Sequence, residues 1–169
     1  MGRMDRLLIS DAIYFITCST FQRKKFFSKP QYAKIVVDQW KHYEMIYEFR
    51  LHAYCVMSDH YHVLLDVGKT KSISEIMHAV NSYISTLLNK ELGKTRKGKV
   101  FQSGFWDEII RDEEMYWQKV SYILFNPYRA GIVKSPIDDY RFSNIREWIE
   151  RESDEFVLDL FSRYRRWHE

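Results

Sequence analysis

His52-Ala-Tyr-Cys-Val-Met57-Ser58-Asp59-His60-Tyr61-His62-Val-Leu-Leu-Asp-Val67 is the stretch on which the fold of this chain turns. Two runs rich in β-branched and aromatic residues, 52–57 and 60–67, are separated by Ser58-Asp59, the length of a two-residue hairpin connection. Alternation along the second run puts His60, His62 and Leu64 on one face and Tyr61, Val63, Leu65 and Val67 on the other. Two neighbouring imidazoles on a largely apolar strand need partners if they are buried. A divalent metal satisfies both at once, because neutral imidazole is a common ligand. A hydrogen-bonded core pair would also serve, so the triplet by itself leaves both readings open.

Outward from the hairpin, the pattern alternates between strand and helix. Residues 12–20 read as a first strand, followed by a basic loop at 22–25. Pro30 suits a first helical position, and Ala33, Val36, Val37, Trp40, Tyr43 and Tyr47 recur at three and four residues. Downstream, Gly68 ends the second hairpin strand, and Ser72 or Ser74 caps a helix reaching about Leu92, with Ile76, Val80, Tyr83 or Ile84, and Leu87 or Leu88 on its buried stripe. A Gly- and Lys-rich loop covers 93–99, and a fourth strand covers 105–110. Asp112 caps the next helix, whose first turn carries Glu113 and Glu114; it runs through Tyr122 toward Asn126 and is expected to end near Pro127. Residues 142–167 read as one or two amphipathic helices carrying Ile145, Trp148, Ile149, Phe156, Leu160 and Tyr164. The order β-α-β-β-α-β-α predicts an α+β fold, an antiparallel sheet with helices packed on it.

Composition narrows the class. With 169 residues, 46% hydrophobic and 17% aromatic, and only six Gly and three Pro, the chain has the makings of one packed core and not of a disordered or fibrous protein. A single domain over 1–169 is expected, its last part from about 140 forming a helical, basic C-terminal extension. The net charge of +3 permits a nucleic-acid partner without demonstrating one. Cys18 and Cys55 lie in apolar runs and read as buried free thiols, too few for a disulfide framework. No apolar run approaches the ~20 residues of a membrane helix, so the expected location is the cytoplasm, with no membrane partner.

The helix after Asp112 carries a second candidate constellation. Val120, Ile123 and Leu124 can face the core, which leaves Gln118, Tyr122 and Asn126 along a neighbouring stripe. Asn126 offers a neutral oxygen suited to Mg²⁺ or Mn²⁺, although Asn before Pro is also a routine helix-end residue.

The residues around these positions carry a resemblance. Met57-Ser-Asp-His60-Tyr-His62-Val-Leu-Leu resembles the Met-Pro-Asn-His-x-His-Leu-Leu signature of the single-tyrosine HUH transposases. Tyr122-Ile-Leu-Phe-Asn126-Pro127-Tyr-Arg-Ala-Gly131-Ile-Val is similar to the Tyr-Ile-x-x-Asn-Pro-Val-x-Ala-Gly-Leu-Val segment of the same family. Between them, Val100-Phe-Gln-Ser-Gly-Phe-Trp-Asp-Glu-Ile-Ile-Arg111 resembles Leu-Trp-Gln-x-x-Phe-x-Asp-x-x-Ile, a segment found especially in the REP-associated tyrosine transposase branch. The matches fall in order over most of the chain, from about 13 to 149. The chain departs from the pattern at Ser58-Asp59, which replaces Pro-Asn, and at Tyr128, which replaces a small apolar residue. Asp59 thereby adds a negative charge near the histidines, and its position in a turn accounts for it equally well.

The resemblance implies the ferredoxin-like, RRM-like HUH endonuclease fold, with Mg²⁺ or Mn²⁺ held by His60, His62 and Asn126 and Tyr122 as the nucleophile. A phenol ionises near pH 10 and attacks poorly at neutrality, so the metal's implied task is to polarise one phosphodiester. The implied products are a 5′-phosphotyrosyl link to DNA and a free 3′-OH, a bond that keeps its energy and lets strands rejoin without ATP. The implied substrate is single-stranded DNA in imperfect palindromes that form hairpins. A monomer acting in cis is favoured over a dimer.

Backbone contacts are expected from Arg23, Lys24 and Lys25, from the loop carrying Lys94, Arg96, Lys97 and Lys99, and from Arg163, Arg165 and Arg166. Each cluster could equally be a solvated surface. Phe105, Trp106, Trp117 and Tyr128 could stack on unpaired bases, with core packing as the alternative. Two other functions compete: a domesticated descendant that holds hairpin DNA without cutting it, and a metal-dependent hydrolase in which Tyr122 is structural. A covalent protein–DNA adduct separates the first reading from both.

Overall fold

The structure is a computed structural model and describes residues 12–93 and 98–168. Strands β1 (Ile13–Ser19), β2 (Arg50–Val56), β3 (His60–Asp66) and β4 (Trp106–Ile109) form one antiparallel sheet in the order β2-β3-β1-β4. The helices are α1 (Pro30–Tyr47), α2 (Ile73–Glu91), α3 (Glu113–Leu124), α4 (Asn126–Arg129), α5 (Ile145–Arg151) and α6 (Asp154–Tyr164). The order and the α+β class are those expected from the sequence.

Local chemistry sets the boundaries. Pro30 opens α1, where a missing N–H costs nothing. Ser72 and Glu75 form a reciprocal capping box on α2, and Asp112 accepts from the Met115 N–H at 2.8 Å to cap α3. Gly68, at φ +63°, turns the chain out of β3. A Cβ there would lie 2.8 Å from the Glu48 carbonyl oxygen, so this close approach of two backbones requires glycine.

Alternation on the strands builds two cores, one on each side of the sheet. On one side Tyr14, Ile16, Cys18, Tyr61, Val63 and Leu65 pack against Val36 and Trp40 of α1 and Ile76, Val80, Ile84 and Leu88 of α2. On the other, Phe15, Ala53, Cys55 and Leu64 meet Val120, Ile123 and Leu124 of α3, Ile145 and Trp148 of α5, and Val157, Leu160 and Tyr164 of α6. Cys18 and Cys55 are free thiols buried on opposite sides, and burial pushes the Cys18 thiol up to about 11. Among the described residues no helix is long and apolar enough to cross a membrane.

Two segments differ from expectation. The helix carrying Tyr122 does not run on to Pro127. It ends at Leu124, and α4 starts afresh with Pro127 in its first turn, where proline is tolerated. Residues 142–144 are not helical either. They lie along β2, with the Val56 N–H bonded to the Phe142 carbonyl at 2.9 Å and the Tyr54 N–H to Asn144 Oδ1 at 2.9 Å. A carboxamide here does the work of a strand's carbonyl, so no apolar alternation announces the pairing.

Candidate functional site

The site begins with the register of β1 against β3, which pairs Ser19 with His60 and Thr17 with His62. Both histidines project from the face covered by α3, and their rings meet edge to face at 4.8 Å. Each has its Nδ1 engaged. His60 Nδ1 donates to Asp59 Oδ1 at 2.7 Å, and His62 Nδ1 lies 2.8 Å from Thr17 Oγ1. Asp59 is held in turn by Arg23, whose Nε is 3.1 Å from Oδ2 and whose Nη1 donates to Ser19 Oγ at 2.7 Å. Arg23 reaches back because Gln22 and Arg23 both take left-handed backbone conformations, at φ 54° and 55°.

α3 lays Tyr122 over this pair. Its ring contacts His62 edge to face at 5.1 Å and Phe15 at 5.9 Å, while Phe15 stacks on His62 at 5.7 Å. The Arg129 guanidinium sits 5.3 Å from the centre of the Tyr122 ring. Lys119, one turn before Tyr122, lies 4.5 Å from the Phe15 ring and 2.7 Å from Glu108.

His62 is 3% exposed, and its Nε2 is buried without a hydrogen-bond partner. Burial pushes its pKa down to about 3, and His60, Arg23, Lys119 and Arg129 add to that shift. The imidazole is therefore neutral at physiological pH. In the tautomer that donates from Nδ1 to Thr17 Oγ1, a lone pair stands at Nε2, the form in which histidine binds metals. Asp59 holds His60 through the same ring nitrogen. The residues present thus fit a divalent ion: two oriented imidazoles, one of them neutral with an orphaned buried nitrogen. Among the described residues no three His, Cys, Asp or Glu side chains gather to complete such a site. Further donors would have to be neutral oxygens or the ligand's own.

The structure therefore brings His60, His62 and Tyr122 together within one chain. Asn126 stands one helical turn beyond Tyr122, half-buried as the first residue of α4, and its carboxamide makes no described contact with either histidine. Of the expected basic residues, Arg23 is part of the site. Lys24 and Lys99 lie 5.9 and 4.8 Å from the Phe21 ring, and Lys99 Nζ donates to Ser103 Oγ at 3.0 Å. Lys25 is exposed in the same loop. Lys94, Arg96 and Lys97 fall outside the described residues. Arg163 is paired with Asp159 at 2.8 Å on α6, and Arg165 and Arg166 are exposed beyond it.

Reading the sequence missed Thr17, Lys119 and Arg129. Lys119 stands three residues before Tyr122 on α3, so helical spacing could have flagged it; Arg129 lies beyond the break at Phe125, on α4. Thr17 is visible only once the strand register is known.

A histidine pair on the inner strand of an α+β sheet, with a tyrosine from the covering helix against it, defines the class of this protein. The chain belongs to the family described as Transposase IS200 like, whose model matches residues 9–123, about two thirds of its length. That match closes one residue after Tyr122, so Asn126 lies beyond it. A Haemophilus influenzae protein assigned as a REP-associated tyrosine transposase is 26% identical over 117 residues. The alignment covers 63% of this chain and 64% of that protein, so the chain spans just under two thirds of this relative. Among solved structures, a REP-associated tyrosine transposase bound to a REP hairpin superposes with a TM-score of 0.69 at 23% identity, covering 89% of this chain and 87% of the other. A Deinococcus radiodurans protein assigned as a transposase gives a TM-score of 0.51 at 17% identity, over 73% of this chain and 95% of the other. At these identities the structural likeness concerns the fold.

Proposed function

We propose that this chain cuts and rejoins single-stranded, hairpin-forming DNA through a covalent bond to Tyr122. The observation that carries the reading is His62 Nε2: a buried, unpartnered nitrogen against the Tyr122 ring, with Arg23, Lys119 and Arg129 around it. Such a nitrogen is costly to keep in a core unless something binds it. A cationic surround favours a phosphodiester as the other guest.

In this reading His60, His62 and Asn126 hold Mg²⁺ or Mn²⁺, with Asp59 and Thr17 keeping the two imidazoles oriented. The bound ion would draw charge from the phosphate oxygens and steady the leaving group. Arg23, Lys119 and Arg129 attract the backbone to the pair. Tyr122 Oη attacks phosphorus and loses its proton to solvent. The Tyr122–phosphate bond forms as the P–O3′ bond breaks, and the departing O3′ takes up a proton. The products are a 5′-phosphotyrosine and a 3′-OH, and a 3′-OH attacking the same phosphorus regenerates the phenol. A hairpin substrate is supported by the REP hairpin bound to the structural relative.

The test is incubation with labelled hairpin DNA and Mg²⁺ or Mn²⁺, followed by denaturing electrophoresis. A slower covalent species is expected with the wild type and not with Tyr122→Phe. An adduct that survives this substitution would overturn the assignment, and hairpin binding without any adduct would favour the domesticated, non-cutting reading. Because the histidines and Tyr122 meet within one chain, a mixture of His60→Ala and Tyr122→Phe is expected to form no adduct. Restored activity in the mixture would mean that the tyrosine is donated by a second copy.

A further inference from the structure

We infer that the Trp106 indole is a stacking platform for one unpaired base of the single strand, beside the phosphate held at His60 and His62. The inference rests on the function proposed above and goes beyond it to a base-binding subsite.

It follows from the sheet register. Thr17 of β1 is paired with His62 of β3 on one side and with Trp106 of β4 on the other. Residues directly paired across strands point to the same face. His62, Thr17 and Trp106 therefore form one row across the sheet. Two strand spacings separate its ends, roughly 10 Å between backbones. A separate contact fixes the side on which Trp106 projects. Glu108, two residues further along β4 and so on the same face, reaches Lys119 of α3 at 2.7 Å. The row thus lies on the face that carries the site.

Trp106 is 67% exposed there. The other aromatics considered for stacking have different tasks. Trp117 packs against Tyr116, Trp148 and Phe156; Tyr128 contacts Phe161; Phe105 lies against the core between the sheet, α1 and α2. An exposed apolar residue alone would mean little. This one stands at the end of a row that begins with His62, next to a surface lined by Lys119 and Arg23. Cations for the backbone and an aromatic plane for a base are the two components of a single-strand binding track. A peptide or a second copy of the chain would find no reason in that charge, whereas a nucleotide does.

The test is an abasic scan. Hairpin DNA with a single-stranded flank, carrying one abasic position at a time, is titrated into Tyr122→Phe protein so that binding is read without cleavage. At one position near the scissile phosphate, loss of the base is expected to weaken binding about tenfold or more. Trp106→Ala in the same background should weaken binding of intact DNA by a similar factor, and should then be indifferent to the abasic site at that position. Trp106→Phe should keep most of the affinity, and the salt dependence should be unchanged because no charge is removed. Because the indole is exposed, an unaltered melting temperature is expected for both variants. If Trp106→Ala binds intact DNA as well as its parent, or suffers in full from every abasic position, the stacking subsite is wrong. Adduct formation without this coupling would overturn the subsite alone. Coupling without an adduct would overturn the cutting reaction alone. No binding of single-stranded DNA at all would overturn both.

Discussion

The two faces of the sheet put the same strand to opposite uses. Along β3, Tyr61, Val63 and Leu65 face α1 and α2, where Trp40 meets Tyr61 edge to face and the Tyr61 hydroxyl donates to Asn81 at 2.6 Å. The alternating His60 and His62 face α3, where hydrocarbon packing gives way beyond Leu64 and Phe15 to imidazoles, a threonine and surrounding cations. The first side is packed with hydrocarbon and ring faces, with Trp40 Nε1 buried and unpartnered among them; the second sets the unpartnered His62 Nε2 against the Tyr122 ring. Since the two sets alternate residue by residue, consecutive positions should separate stability from chemistry.

The sharpest break is at His62. If the proposed reaction holds, His62→Ala is expected to reduce adduct formation at least a thousandfold, because it would remove a metal donor worth several kcal/mol in the transition state. Denaturant unfolding should change by about 1–2 kcal/mol, less than for an apolar core ring, because the cavity and the lost Thr17 bond are partly offset by removal of an unpartnered buried nitrogen. One residue earlier, Tyr61→Ala should cost about 3–5 kcal/mol in the same unfolding measurement, with adduct formation retained by the fraction that remains folded. The reverse pattern would show that the division between the faces is misdrawn. Within the site face, Lys119→Met should lower affinity for single-stranded DNA about tenfold and flatten the salt dependence by about one charge, measured by anisotropy at several salt concentrations.

The smallest effect concerns the join between β2 and α3, where His52 Nδ1 lies 2.8 Å from the Tyr116 hydroxyl. Burial, then Arg50, holds the His52 imidazole below its ordinary value of 6.5. Above that pH both folded and unfolded chains keep it neutral. As the pH falls through 6.5 the unfolded chain takes up a proton that the fold resists, so stability declines by at most about 1.4 kcal/mol per pH unit for this group. His52→Gln should show a shallower decline than wild type in unfolding curves between pH 7 and 5. Identical slopes would remove His52 from the account.

Much of this comparison is legible in the sequence because it rests on period. Alternation separates His60 and His62 from Tyr61 and Val63, and helical spacing puts Val120, Ile123 and Leu124 inward. What is not legible depends on which strands adjoin. Nothing in 105–110 says that β4 borders β1, so the row from His62 through Thr17 to Trp106 cannot be read in advance. The relay from Arg23 through Asp59 to His60 escapes for another reason: it needs two left-handed residues that no glycine announces. The break at Phe125 is hidden as well, since a proline marks both a helix that stops and one that begins.

Residues 140–148 have a consequence outside the site. They occupy the outer border of β2 almost completely: the Tyr54 and Val56 N–H groups and the carbonyls of His52, Tyr54 and Val56 all bond to Tyr140, Phe142, Asn144 or Trp148. A strand from another molecule arriving there finds these two N–H groups and three carbonyls already engaged, and adding one would first require lifting this segment away. Shortening the chain to the family-matched 9–123 would strip the cover and leave a bare ladder of the kind that recruits strands and aggregates. The part of the chain beyond the family match is thus what keeps the sheet from growing at β2.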